Sequence, residues 1–264
     1  MERLATAPDM RKFFIIGIGA GDPDYVTMQA VKALNRVDVF FVFDKGEAKS
    51  GLVELRDEVC RRFITTKSYR VVAIDDPKRQ VPQEGYKAGV EDWHRERARL
   101  LAEAIEREVG KNGCGAILVI GDPSLYDSTI RIVDRVVGDY AVELDVEVIP
   151  GISSVQALAA RHRIMLNEIG EDVRLTTGRN LASQMPASGE SVVVMLDGGP
   201  GLDAIQNDSG LEIYWGACLG MPDEIVRGGT SSEVYSDIAR LRTEMKKTRG
   251  WIMDVFLLRR RKPE

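Results

Sequence analysis

Short apolar runs alternate with stretches of helical periodicity through the first half of the chain. Phe13–Ile18 is one such run, closed by a glycine turn; "TMQAVKALNRV" (27–37) then carries apolar residues at helical spacing, with Thr27 placed to cap its first turn. "VDVFFVFD" (37–44) is almost wholly apolar, the signature of a parallel strand covered on both faces. "SGLVELRDEVCRRF" (50–63) reads as a helix with Ser50 near its start, and "YRVVAI" (69–74) as a strand. "DDPKRQVPQEGYKAGV" (75–90) is rich in proline, glycine and charge and reads as an exposed loop. A long amphipathic helix, "EDWHRERARLLAEAIEREV" (91–109), follows and is ended by Gly110 and Gly113. "GAILVI" (115–120) predicts a buried strand, "STIRIVDRVV" (128–137) a helix, and "VELDVEVIPG" (142–151) a strand and turn.

Beyond this point the alternation changes. "ISSVQALAARHRI" (152–164) is helical, whereas "DVRLTTG", "ESVVVMLD", "LEIYWGACLG", "EIVRGGT" and "GWIMDVFLLRR" read as strands, with the helical "VYSDIARLRTEMKK" before the last. The pattern predicts an α/β protein of two domains: an N-terminal, mostly parallel sheet over 11–149 built of βαβ units, and a C-terminal mixed α/β domain over 150–260.

Composition narrows the chemistry. With 264 residues, 44% hydrophobic and 29% charged, the chain has the make-up of a soluble globular protein, and no apolar run approaches the roughly 20 residues of a membrane span. Its N-terminus lacks the apolar segment of a signal peptide, so a cytoplasmic location is expected. A net charge of −5 argues against a nucleic-acid partner, because such binding rests on a basic surface. Cys60, Cys114 and Cys218 have neither disulfide nor zinc spacing and are expected to be free, buried thiols; no metal-ligand cluster is visible.

Three turns carry the candidate chemistry. Gly17, Gly19 and Gly21 follow the first strand and invite a dinucleotide-binding reading, with Asp44 at the next strand end as the ribose acid. The third position of that fingerprint, however, is Asp22, followed by Pro23 and Asp24, so a pyrophosphate would meet carboxylates. A cationic, unphosphorylated ligand such as S-adenosylmethionine suits these turns better. A second strand ends in Gly121-Asp122-Pro123 and a third in "VIPGISS" (148–154), where Ser153 is also a plain helix cap. Open parallel sheets bind ligands along this carboxyl edge.

"GIGAGDPDYVT", "GDPSLY" and "VIPGISS", in that order, resemble the motifs of the tetrapyrrole (corrin and sirohaem) methyltransferases. The resemblance implies an α/β first domain, a mixed second domain, a cofactor, S-adenosylmethionine, held in the cleft between them, and a homodimer. "YDSTIRI", "LAARHRIMLNEIG", "TTGRN", "YWGACLGMPDEI" and "GWIMDVFLLRR" are similar to the branch of aerobic cobalamin synthesis that methylates C-1 of precorrin-5 and releases its extruded acetyl group as acetate. Carried over residue by residue, it implies cofactor contacts at Ala20, where proline is common in the family, and at Ile120, Gly121, Asp122, Leu125, Ser153, Ser154, Met195, Ala217 and Leu219. Asp44 matches a proton-accepting aspartate of some relatives, and a strand-end cap is the alternative. Lys45, Tyr126, Arg131, Arg174 and Arg179 are the residues expected to meet the substrate's carboxylates or carbonyls. For acetate release the chain offers His94, His162, Asp44 and Tyr126 as acid or base, His94 also reading as a structural residue of its helix.

Overall fold

A computed structural model describes residues 10–44, 50–65, 68–79, 86–206, 208–250 and 252–260. The chain divides into two compact units: the first runs up to Gly19 and resumes over Pro23–Ile152, and the second takes Ala20–Asp22 together with the chain from Ser153 onward.

The first unit is a parallel sheet covered on both faces. Its strands are β1 (Arg11–Gly17), β2 (Val39–Asp44), β3 (Arg70–Asp75), β4 (Cys114–Val119) and β5 (Leu144–Ile149), in the order β3-β2-β4-β1-β5. Every pairing is parallel. Because side chains alternate across a strand, Phe13 and Ile15 point to one face and Phe14 and Ile16 to the other, and both faces are closed to water. Helices α1 (Met28–Leu34) and α2 (Ser50–Phe63) cover the Phe14 face through Ala30, Leu34, Leu55 and Val59. Helices α3 (Tyr86–Glu108) and α4 (Thr129–Asp139) cover the Phe13 face through Ala98, Leu101, Ile132 and Val136. Thr27 caps α1 by accepting from the Ala30 amide at 3.1 Å, as its position predicts. The helix α3 begins at Tyr86, so the last residues of the expected 75–90 loop are helical; the amphipathic repeat simply extends one turn further than proline and glycine suggested.

The connections explain where a ligand can enter. The neighbouring strands β1 and β4 send their following helices, α1 and α4, to opposite faces of the sheet. That divergence makes their carboxyl ends the switch point of an open α/β sheet, the place where such sheets bind ligands.

The second unit contains α5 (Ser154–His162), β6 (Val173–Thr177), α6 (Gly178–Leu181), β7 (Ser191–Met195), α7 (Pro200–Asp203), β8 (Leu211–Ala217), β9 (Ile225–Thr230), α8 (Ser231–Arg249) and β10 (Asp254–Arg260). Its sheet runs β6-β7-β10-β8-β9, with β6 parallel to β7 and the other pairs antiparallel, which is the mixed sheet expected from sequence. The short helices α6 and α7 were not foreseen, because four residues are too few to show a period. They are organised by one buried carboxylate. Asp197 accepts from the amides of Gly199, Gly201 and Leu202 and from Arg242 Nη1 at 2.9 Å. Arg242 Nε in turn lies 2.9 Å from Asp254, which also accepts from the Trp215 indole. All three cysteines are buried free thiols, and among the described residues no helix is long and apolar enough to cross a membrane.

Burial would push the Asp197 carboxyl up, but the Gly199, Gly201 and Leu202 amides and the Arg242 guanidinium hold it below the ordinary carboxylate range. Its contribution to stability is therefore present above that range and lost as pH falls through the lowered value. Asp197→Asn removes one of the two carboxylates beside Arg242 and an acceptor of the loop amides and should cost about 1–3 kcal/mol, a fall in melting temperature of roughly 5 °C. A calorimetric shift below about 2 °C would show that Arg242 is balanced without it.

Candidate functional site

Three chain turns meet at the carboxyl edge of the first sheet, and they meet through backbone. Gly19 and Gly121 form an isolated antiparallel bridge, with Gly121 N donating to Gly19 O at 2.7 Å. A Cβ added to Gly151 would stand 2.1 Å from the Gly121 carbonyl oxygen, and one added to Gly17 would stand 2.6 Å from the Gly151 nitrogen. Neither position can hold a side chain without moving main chain. Gly121 also adopts φ +74°, in the left-handed region that glycine enters without a Cβ penalty.

Asp122 locks this arrangement. One carboxylate oxygen accepts from the Ser124 amide at 2.8 Å and from the Ser124 hydroxyl; the other accepts from the Gly151 amide at 2.9 Å. Burial would raise this carboxyl, yet the Ser124 hydroxyl and the Gly151 and Ser124 amides hold it below its usual range. The charge that sequence reading aimed at a cationic ligand is thus directed into the turns themselves. Ile120 and Leu125 are half-buried beside it, and the Leu125 amide closes the turn onto the Asp122 carbonyl at 3.2 Å. Tyr126 follows in a left-handed conformation, φ +51°, with its side chain about half exposed; the partial loss of solvent around its phenol raises its pKa.

In the second unit, Ser153 is buried and caps α5, accepting from the Val155 amide at 3.1 Å, and Ser154 is the first helical residue. Ala20 is buried. Met195 and Ala217 pair with the adjacent residues Val255 and Asp254 of β10, which puts them at one end of the sheet. Leu219 lies two residues beyond Ala217, buried against Gly216, where a Cβ would stand 2.7 Å from its side chain.

The polar candidates separate. Asp44 is the exposed last residue of β2, in register with Asp75 of β3. Arg131 is exposed on α4 and lines a cavity with His94. Arg174 has local partners: its Nη2 donates to the Gln184 carbonyl at 2.6 Å and to the Met185 carbonyl, and it lies 3.5 Å from Glu190, so it braces the loop before β7. Arg179 is exposed on α6, and Lys45 lies outside the described residues. His162 is held by the Trp215 carbonyl at 3.0 Å and the edge of the Tyr214 ring, a structural role. Arg56 of α2 was missed by sequence reading. It is half-buried near Asp127 and makes no hydrogen bond or ion pair among the described residues; burial lowers its pKa while Asp127 and Asp57 oppose. One charged residue among six in its helix carried no signal. Among the described residues no group of side chains could hold a metal ion.

Residues 12–235 match the family of Tetrapyrrole (Corrin/Porphyrin) Methylases. The chain is 46% identical over 251 residues to a precorrin-6A synthase [deacetylating] of Sinorhizobium sp., covering 95% of this chain and 96% of that protein. A crystal structure of a cobalamin-synthesis-related protein (CobF) from Corynebacterium diphtheriae is 36% identical, with a TM-score of 0.80 over 95% of this chain and 99% of that one. A uroporphyrin-III C-methyltransferase of Thermus thermophilus, solved with S-adenosylhomocysteine, shares the fold at a TM-score of 0.59 and 16% identity over 94% of this chain and 92% of that one. The turns at the carboxyl edge, the two sheets and these matches lead to one assignment: the chain belongs to the tetrapyrrole (corrin/porphyrin) methylases.

Proposed function

We propose that the chain is an S-adenosylmethionine-dependent C-methyltransferase that methylates C-1 of precorrin-5 and releases acetate, giving precorrin-6A in aerobic cobalamin synthesis. The observation that carries this reading is the 46% identity, over nearly the full length of both chains, to a precorrin-6A synthase [deacetylating]. In the same reading the protein is a cytoplasmic homodimer. Light scattering should then give twice the 29.3 kDa of one chain; the mass of a single chain would remove the dimer from the account.

When bound, the cofactor supplies a methyl group on a sulfonium. The site residues fit such a ligand: residues 15–27, 117–129 and 148–154 contain no lysine or arginine, and Asp122 is occupied by its own turn. What the turns offer is close approach of main chain, unobstructed by Cβ atoms. In this proposal Ala20, the Ile120–Asp122 backbone, Leu125, Ser153, Ser154, Met195, Ala217 and Leu219 are the residues that hold the cofactor. Methyl transfer needs the acceptor carbon in line with the methyl at about 3–3.5 Å, and fixing that alignment supplies roughly 7–11 kcal/mol. Asp44, exposed at the sheet edge, stands where the resemblance implies a proton acceptor, while Tyr126, Arg131, Arg179 and Arg56 face the substrate's polar groups.

S-adenosylhomocysteine at about a hundred times its dissociation constant should add about 2.7 kcal/mol of stability, and NAD(P)H none. A shift with the nicotinamide alone would overturn the assignment and make Asp44 a ribose ligand. Asp122→Asn keeps the shape of the turn but loses the acceptor for the Gly151 amide; it should weaken S-adenosylhomocysteine binding about tenfold, read by calorimetry. With precorrin-5 and S-adenosylmethionine, one acetate should appear per S-adenosylhomocysteine formed; methylation without acetate would move the reaction to another ring carbon.

A further inference from the structure

We infer that Ser128 and His94 are the acetyl-transfer pair of this enzyme: Ser128 Oγ is the nucleophile that takes the acetyl group from the macrocycle, and His94 is the base that activates it. The inference rests on the reading that acetate is a product.

The geometry is that of a nucleophile and its base. His94, buried on α3, places Nε2 2.9 Å from Ser128 Oγ. Ser128 stands at the N-cap of α4, where a serine hydroxyl ordinarily accepts from a helix amide. Here it makes no such bond. The Thr129 amide is taken by Asp127 Oδ1 at 2.7 Å, and the Ser128 hydroxyl is turned to the imidazole instead. The left-handed Tyr126 lies two residues before it, and such backbone strain gathers at working sites.

The pair also lies where the substrate must come. Ser128 is three residues past Leu125 on the loop that leaves β4. One turn beyond His94, Arg97 pairs with Asp76 just after β3 and stacks 4.2 Å from the Phe43 ring centroid of β2, which fixes this part of α3 at the carboxyl edge of the sheet. There β2 and β4 have parted, their pairing ending at Phe40 and Ala116. A cavity of about 350 Å³ opens beside His94, lined also by Glu91, Arg131, Asp134, Arg135 and Asp139. Arg135 is tied to Glu91 and Asp139. Arg131, one helical turn after Ser128, makes no hydrogen bond or ion pair among the described residues and is the donor that can polarise an acetyl oxygen. Burial lowers the His94 pKa; Glu91 opposes, and Arg131, Arg135 and Arg97 act with burial, so the ring is a neutral base at neutral pH.

The step balances with water and the methyl donor alone. The Ser128 proton passes to His94 as Oγ bonds to the acetyl carbonyl carbon. The bond from that carbon to the macrocycle breaks, and its electron pair stays on the ring carbon, which attacks the sulfonium methyl. His94 gives its proton to solvent. Water then attacks the acetyl ester with His94 again as base; acetate leaves, and the proton returns to Ser128.

The test compares wild type, Ser128→Ala, Ser128→Cys and His94→Gln on precorrin-5 with S-adenosylmethionine, reading acetate, S-adenosylhomocysteine and intact protein mass, with the melting shift on S-adenosylhomocysteine as a check on fold and cofactor site. Ser128→Ala and His94→Gln should keep the melting shift and lose acetate release on the order of a thousandfold or more. Quenched turnovers of Ser128→Cys should carry the mass of one acetyl group on residue 128. Acetate release by Ser128→Ala within about tenfold of wild type would overturn the inference, as would release by Ser128→Cys with no acetylated protein. A wild type that yields no acetate would instead overturn the reading on which the inference rests.

Discussion

The first unit depends on three peptide segments approaching more closely than any side chain allows. Gly17, Gly121 and Gly151 sit at the ends of β1, β4 and β5, and the gaps between them are smaller than a methyl group requires. Such packing brings the three strand ends together as bare main chain. The Asp122 carboxylate then joins the β4 turn to the β5 turn through the Gly151 amide. The edge therefore presents amides, carbonyls and glycine carbons held by a charge-assisted bond.

This constraint changes the meaning of the acidic turns. A carboxylate beside a helix start reads in sequence as a charge offered to a ligand, and that reading favoured a sulfonium over a pyrophosphate. In the fold, Asp122 serves the turn, accepting from the Ser124 and Gly151 amides.

Much of the fold was legible because its signals are periodic. Phe13–Ile16 is buried on both faces, so its run is continuous, and the alternation of such runs with 3.6-residue patterns fixes parallel strands and crossover helices. The mixed second sheet also showed in its strands. Less legible were features made by single residues meeting across long separations. Helices α6 and α7 depend on Asp197 and Arg242, 45 positions apart, and no local pattern announces that pair. The commitment of Arg174 to loop carbonyls is equally silent, since a lone arginine on a strand looks the same whether it braces a loop or awaits a carboxylate. For Ser128, the hydroxyl could equally have been a helix cap; only the position of His94, 34 residues earlier, distinguishes the roles.

The account places a cofactor against main chain at the ends of β4 and β5, and amide hydrogen exchange with and without S-adenosylhomocysteine tests that placement most directly. The prediction is slower exchange on binding in peptides spanning Ile120–Leu125 and Gly151–Ser154, the segments that the glycine contacts and Asp122 hold in place. Unchanged exchange in both segments, with protection appearing elsewhere, would contradict it.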